Sequence, residues 1–316
     1  MLTYALKRIC LAVLIIFVVM LAMYAMVFLV PGDPASLALG PRATPELKRA
    51  LMERMGLDQP VYVQVWNFFR NALTGDLGYD VWSRRPVADM IAESFPKTLF
   101  LGAVAMAIAL TAGIGLGCVA VVWRGRAADR LLAVLSVSMI SVPSFVVAIY
   151  LLLVFAVQLG WFPAIGGGEA GDWTSQLRAV VLPALAIAIP WVGYLARLVR
   201  ASMLEVMASA HVRTARAFGL RERRVVMGYA LRVAIVPVIA IVAVGFGSIL
   251  SSAVFVETVF SRPGIGTLIT SAVQKRNFPV VMGTVLFMTA FYLAVVTLAD
   301  LLMAKLDPRM RDMLRG

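Results

Sequence analysis

Apolar positions along this chain fall into long unbroken runs separated by polar, charged or proline- and glycine-bearing segments. Six runs stand out, over residues 9–30, 98–122, 131–159, 179–198, 234–256 and 280–303. Each has about 20 residues or more, and at about 1.5 Å per helical residue each can cross a hydrocarbon core of about 30 Å. The pattern predicts an all-α polytopic membrane protein with six transmembrane helices. It divides the chain into an N-terminal end and first helix (1–30), an outer helical segment (31–97), a core of five helices (98–304) and a short tail (305–316). The core contains a basic loop at 200–232 and a second loop, on the opposite side, at 257–279.

The segment 31–97 also carries periodicity. Thr44 is placed to cap a helix with Pro45 at its first position and Glu46 in its first turn, and Gly56 to end it. Leu47, Leu51 and Met55 then share one face. After Asp58-Gln59-Pro60, Val61, Val65, Phe68 and Phe69 form a second apolar stripe beside Trp66, and Gly75-Asp76-Leu77-Gly78 reads as a turn. These amphipathic helices either lie on the bilayer or cap the bundle, or they form a docking surface for a partner. The first run is too long for a signal-peptide core and ends at Pro31-Gly32-Asp33-Pro34 without an Ala-x-Ala site, so it is expected to remain as a helix.

Composition agrees: 61% of residues are hydrophobic and 15% charged, against about a quarter charged in soluble domains. The net charge of +12 would suggest nucleic acid if it were spread evenly, but it is not. With the N-terminus inside, the inner segments hold 17 basic residues and six acids, Asp129, Glu205, Glu222, Asp300, Asp307 and Asp312. The outer segments hold the other 12 basic and 11 acidic residues. That asymmetry is the positive-inside signature. It places both termini in the cytoplasm, the segment 31–97 outside, and membrane lipid rather than nucleic acid around the chain.

Catalytic chemistry has no evident carrier. Cys10 and Cys118 both lie in apolar runs, so neither a disulfide framework nor a metal cluster is expected. The single histidine, His211, has no companion at ligand spacing. Gly113, Gly115 and Gly117 sit inside an apolar run, where close helix packing is their expected use. A phosphate-binding Gly-x-x-x-x-Gly-Lys-Ser/Thr does not occur. The runs hold almost no ionisable groups, Glu257 and Asp300 lying near opposite ends, so proton-driven transport lacks a relay. A large bundle without its own energy source implies an external one.

The basic loop is where an external source would act. Between Arg197 and Arg232 lie eight arginines and two acids. Residues 201–210 are strong helix formers with Ser202 placed as a cap, and Gly219 sits where a helix ends at positive φ. Ala215, Ala217 and Gly219 allow close approach by another backbone. A further helix is predicted from Arg221 through Arg232 to Pro237 and into the fifth run. Two helical pieces around a glycine break suit docking better than a merely topogenic loop would require.

The segment Arg213-Thr214-Ala215-Arg216-Ala217-Phe218-Gly219-Leu220 resembles the EAA loop of ABC-importer permeases, in the form found in the dipeptide, oligopeptide and nickel group. Phe218 replaces that group's lysine, and Arg213 stands where the general form has glutamate. Further strings resemble the group's B-type permease: Pro31-Gly32-Asp33-Pro34, Gly56-Leu57-Asp58-Gln59-Pro60, Gly75-Asp76-Leu77-Gly78, Glu257-Thr258-Val259-Phe260, Pro263-Gly264-Ile265-Gly266, Arg276-Asn277-Phe278-Pro279-Val280 and Leu306-Asp307-Pro308-Arg309. The resemblance implies a type I importer permease fold in a bacterial inner membrane. It implies a second homologous permease forming a heterodimer with this chain, two cytoplasmic ABC ATPases, and a periplasmic or lipid-anchored substrate-binding protein. ATP and magnesium would be handled by the ATPases, with no cofactor or metal in this chain. Arg213 to Leu220 would be the coupling joint.

The alternative is a stand-alone channel or secondary transporter whose basic loop is only topogenic. Pro263, Gly264, Gly266 and Arg276 bracket a short outer helix that reads either as a periplasmic gate or binding-protein contact, or as a tight connector. Ser248, Ser251 and Ser252 are candidates for lining an aqueous path. Dipeptides, oligopeptides, nickel or its chelates and glutathione-like compounds all remain open as substrates.

Overall fold

The computed structural model describes residues 2–29, 39, 44–54, 59–169 and 171–306. In chain order its helices are α1 (Leu2–Leu29), α2 (Pro45–Arg54), α3 (Val61–Leu73), α4 (Val87–Val122), α5 (Ala127–Ser141), α6 (Ser144–Leu151), α7 (Trp173–Met207), α8 (Ala210–Ala217), α9 (Val236–Val259), α10 (Ile265–Gln274) and α11 (Phe278–Leu306). Wide-turned π-helical stretches extend α6 over Leu152–Gln158 and occupy Val225–Ala230. Among the described residues the only β feature is an isolated bridge, Tyr79 with Pro86. The chain divides into two compact units, Met1–Lys97 with Gly264–Gly316, and Thr98–Pro263.

In the first unit α1 packs along α11 and α3 packs on α1. Met20 is fully buried there with Val65, Met282 and Leu286, Phe17 stacks on Phe69 at 5.8 Å, and Tyr24 meets Phe68 edge-on at 6.4 Å. The expected apolar stripe of α3 is therefore the face that docks on the first helix, while Tyr62 and Trp66 point outward. Thr44 caps α2 as expected, its Oγ1 accepting the Leu47 N–H at 3.3 Å. The turn at 75–78 also forms: Gly75 and Gly78 have φ of 85° and 84°, and Asp76 accepts the Gly78 N–H at 2.9 Å. Arg8 bridges to Asp300 at 2.8 Å, tying α1 to α11. Pro31–Pro34, Met55–Asp58 and 307–316 lie outside the described residues.

In the second unit α7 is the central post, contacting α5, α6 and α9. Gly113 and Gly117 are why α4 can approach it: an added Cβ would come within 2.7 Å of Leu195 at the first and of Val199 at the second. Gly115, on the other side of α4, faces open space. Gly193 does the same job toward Ser136 and Met139 of α5. These are the small-residue contacts that replace hydrophobic driving force between helices in lipid.

Two expectations change. The third run is not one straight span: α5 and α6 are bent by 99°. Pro143 lacks an N–H and pushes Val142 into an extended conformation (φ −91°, ψ 122°), which ends α5 in mid-run. Ser202 caps nothing, because α7 continues unbroken to Met207. Glu257 does lie near the end of its helix; it is fully buried and accepts a hydrogen bond from Thr98 Oγ1 at 2.7 Å. Among the described residues, four helices are long and apolar enough to span a membrane unaided, or five with the bent pair taken as one. The remaining long apolar helix, α9, runs for 24 residues, about 36 Å at 1.5 Å per residue.

Candidate functional site: the short basic helix after α7

After Met207 the chain breaks helix for two residues. Ala208 closes α7, and Ser209 turns extended (φ −71°, ψ 158°) with its Oγ donating to the Val206 carbonyl at 2.5 Å. The helix that follows, α8, has eight residues, too few to be stable in isolation. Tertiary packing holds it: Val212 is fully buried and Ala215 nearly so, both against Val225, with Val206, Met207 and Leu220 around them. Its C-terminus is closed by two reversed hydrogen bonds, Gly219 N–H to the Arg216 carbonyl (2.9 Å) and Leu220 N–H to the Ala215 carbonyl (3.4 Å). Gly219 has φ of 73°. This is the Schellman closure, in which a residue without Cβ takes the left-handed position and the next apolar residue folds back.

The other residues of the segment face outward. Arg213, Thr214, Ala217, Phe218 and Gly219 are exposed, and Phe218 is 80% exposed, unusual for a phenylalanine outside lipid. Arg216 forms a two-pronged pair with Glu222, Nη2 to Oε1 at 2.6 Å and Nε to Oε2 at 3.2 Å. That pair staples α8 to the next helical run and holds the guanidinium pKa above its ordinary value. Ala215 does not serve an outside partner; it is small so that α8 can sit close on its own support. Beyond it, Glu222–Arg224, the π-helical Val225–Ala230 and Leu231–Ala234 lead without a loop to α9. A displacement of α8 therefore has a direct helical route into α9.

The other candidates are scattered. Ser248, Ser251 and Ser252 share a face of α9 by their spacing. Ser248 and Ser251 are exposed, Ser252 is half-buried, and Ser251 donates to the Gly247 carbonyl at 3.1 Å. Pro263 is exposed, Gly264 and Gly266 are buried and Arg276 is half-buried. The helix α10 is thus embedded, with Ile265 and Ala272 in the core of the first unit. Asn277, just beyond it, donates to Asp80 at 2.5 Å. Asp80 also accepts from Ser83 Oγ at 2.5 Å and the Trp82 N–H at 2.9 Å. Burial pushes the Asp80 carboxyl up, but these hydrogen bonds outweigh it and hold it below the usual carboxylate value.

Sequence reasoning missed a second fastening on the basic side. Asp129 at the start of α5 is buried and takes Arg200 in a two-pronged pair at 2.8 and 2.9 Å, and also accepts the Gly125 N–H at 3.1 Å. Its only sequence signal was one acid between Arg126 and Arg130. Among the described residues no cluster of three or more His, Cys, Asp or Glu side chains could hold a metal.

A family model described as the inner membrane component of binding-protein-dependent transport systems matches residues 95–312, and the model of that component's N-terminal part matches residues 1–102. The chain belongs to this family. The glutathione transport system permease protein GsiC of Escherichia coli (strain K12) is 37% identical over 311 residues, covering 98% of this chain and 99% of that protein. The GsiC protein of Shigella flexneri serotype 5b is likewise 37% identical over the same coverage. Among solved structures, an inward-facing form of the MetNI methionine ABC transporter matches with a TM-score of 0.57 at 16% identity, over 69% of this chain and 96% of that one. That likeness concerns the fold, which is the type I importer permease fold. The chain is accordingly a membrane-embedded permease subunit of an ABC importer, a transport component rather than an enzyme. Such a subunit works with a partner permease, ATPases and a binding protein.

Proposed function

We propose that α8 and its glycine closure, Arg213 to Leu220, are the joint through which two cytoplasmic ATPases drive this permease. The carrying observation is the split character of α8: Val212 and Ala215 anchor it inward, while Phe218 stands exposed at its tip. A short helix presenting an aromatic side chain fits a cleft on a partner. Because α8 is rigidly based, movement of that cleft is passed on as a rigid-body shift. Binding and hydrolysis of ATP, with its magnesium, belong to the partner subunits.

The second permease is read as a homologue forming a heterodimer with this chain, and the binding protein as periplasmic or lipid-anchored. Pro263, Gly264, Gly266 and Arg276 belong to an outer wall that faces it, and Ser248, Ser251 and Ser252 to the path. Positive charge on the segments 124–130 and 197–232 supports an inward orientation for them, with both termini cytoplasmic. The cargo is read as a small peptide or a peptide-like thiol of the glutathione class, on the strength of the GsiC relatives.

Gly219→Asp tests the joint. A side chain in the left-handed conformation costs about 1–2 kcal/mol, and a carboxylate is added at the docking tip. Expected is a membrane-inserted permease whose uptake is lost while ATP hydrolysis by the complex continues. Normal uptake would refute the assignment.

A further inference from the structure

A groove of ≈ 260 Å³ lies on the second unit, walled by α4, α5 and α7. Leu116, Ala120, Leu132, Ala133 and Val137 make its walls apolar, and Arg197 and Arg200 stand at one end. The volume equals that of about nine liquid waters at ~30 Å³ each, yet the walls offer water few polar partners. An acyl chain suits such walls better than water does.

The charged end is asymmetric. Arg200 is neutralised by Asp129, which grips its Nε and Nη2. Arg197 is exposed and has no carboxylate within salt-bridge distance among the described residues. Arg130 lies one helical turn from Ala133 on the same face of α5, and Arg124 and Arg126 are exposed in the adjoining turn. Uncompensated guanidinium groups at the mouth of an apolar groove select for an amphiphile with an anionic head. Basic pockets between helices at the inner membrane surface bind anionic lipid headgroups on this basis.

We propose that this groove is a binding site for an acidic phospholipid, its phosphate on Arg197 and one acyl chain along Leu116, Ala120, Ala133 and Val137. The lipid would wedge α5 against α7 beside the Asp129–Arg200 pair. The membrane leaflet assigned to it rests on the inward reading of the basic segments.

The purified full-length chain, delipidated in neutral detergent, is titrated with phosphatidylglycerol and with phosphatidylcholine of the same acyl chains, and retained lipid is counted by native mass spectrometry. Expected is about a tenfold preference for phosphatidylglycerol. Arg197→Gln should bring that preference to near unity, and Ala133→Phe, which fills the groove from an exposed position, should lower retention of both lipids. Arg178→Gln, far along α7 at its other end, should leave both unchanged. Equal retention of the two lipids by the native chain, an undiminished preference in Arg197→Gln, or undiminished retention in Ala133→Phe overturns the site. A micelle has no sides, so this result is independent of orientation. Thiol labelling of Arg126→Cys in sealed vesicles tests orientation separately.

Discussion

The helices α8 and α10 end in the same way and present their ends in opposite ways. Each closes with a Schellman pair, Gly219 and Leu220 on α8, Arg276 and Asn277 on α10, the latter through N–H bonds to the Val273 and Ala272 carbonyls at 3.1 and 2.8 Å. The left-handed residue is a glycine at φ 73° in α8 and an arginine at φ 52° in α10. On α8 the closure lies on the surface with Phe218 beside it. On α10 it is covered, because Asn277 is buried and hydrogen-bonded to Asp80. A helix end meant to receive a partner keeps its tip free and its conformation unstrained. One built into the wall tolerates a strained residue, since surrounding contacts determine its backbone.

The comparison breaks hardest at Val212. Val212→Asp buries a carboxylate with no partner and should cost about 3 kcal/mol or more locally. Expected is release of α8 from Val225, read as loss of ATPase co-purification with little change in the thermal unfolding of the rest of the chain. Next in size, Asn277→Ala removes a donor from buried Asp80, an effect of about 1–3 kcal/mol. It should lower the unfolding temperature while ATPase co-purification stays intact, the reverse of the Val212 outcome.

Smaller effects sharpen the contrast in closures. Arg276→Gly relieves the left-handed strain of about 1–2 kcal/mol but loosens the unfolded chain by about 0.5–1 kcal/mol, leaving a net gain of about 0–1.5 kcal/mol in stability. Gly219→Ala should cost about 1 kcal/mol with no such gain. For Asp80 the folded carboxyl lies below its unfolded value, so its stabilisation is fully present above about pH 4 and is lost as pH falls through the folded value. Thermal stability of the native chain should therefore fall on acidification below about pH 4 by more than that of Asp80→Asn, and the two should run parallel between pH 5 and 8.

Much of this frame was legible in the chain itself. Runs of apolar residues mark helices regardless of tertiary context, and Thr44, Gly75, Gly78 and Gly219 act through local backbone demands that leave a mark in sequence. Gly113 and Gly117 were readable as packing residues, though which of the three glycines faced α7 depended on helix phase. What stayed hidden depends on distance along the chain. Asp129 and Arg200 are 71 residues apart, Thr98 and Glu257 are 159, and Asp80 and Asn277 are 197; no local pattern announces such partners. The bend at Pro143 had a signal, but the continuous apolar run around it masked the break. Within the candidate site, the residue types pointed to a docking helix, whereas the inward role of Ala215 needed coordinates. Whether a small residue serves its own fold or a partner depends on the helix face it occupies.

The central claim is that the exposed face of α8 transmits ATPase movement to the permease. The most direct test is solute transported per ATP hydrolysed by the complete importer in proteoliposomes, native against Phe218→Ala. Losing an exposed aromatic anchor should leave the permease folded and lower that ratio about tenfold, equivalent to about 1.4 kcal/mol of docking energy. An unchanged ratio, with α8 still in place, would contradict the account.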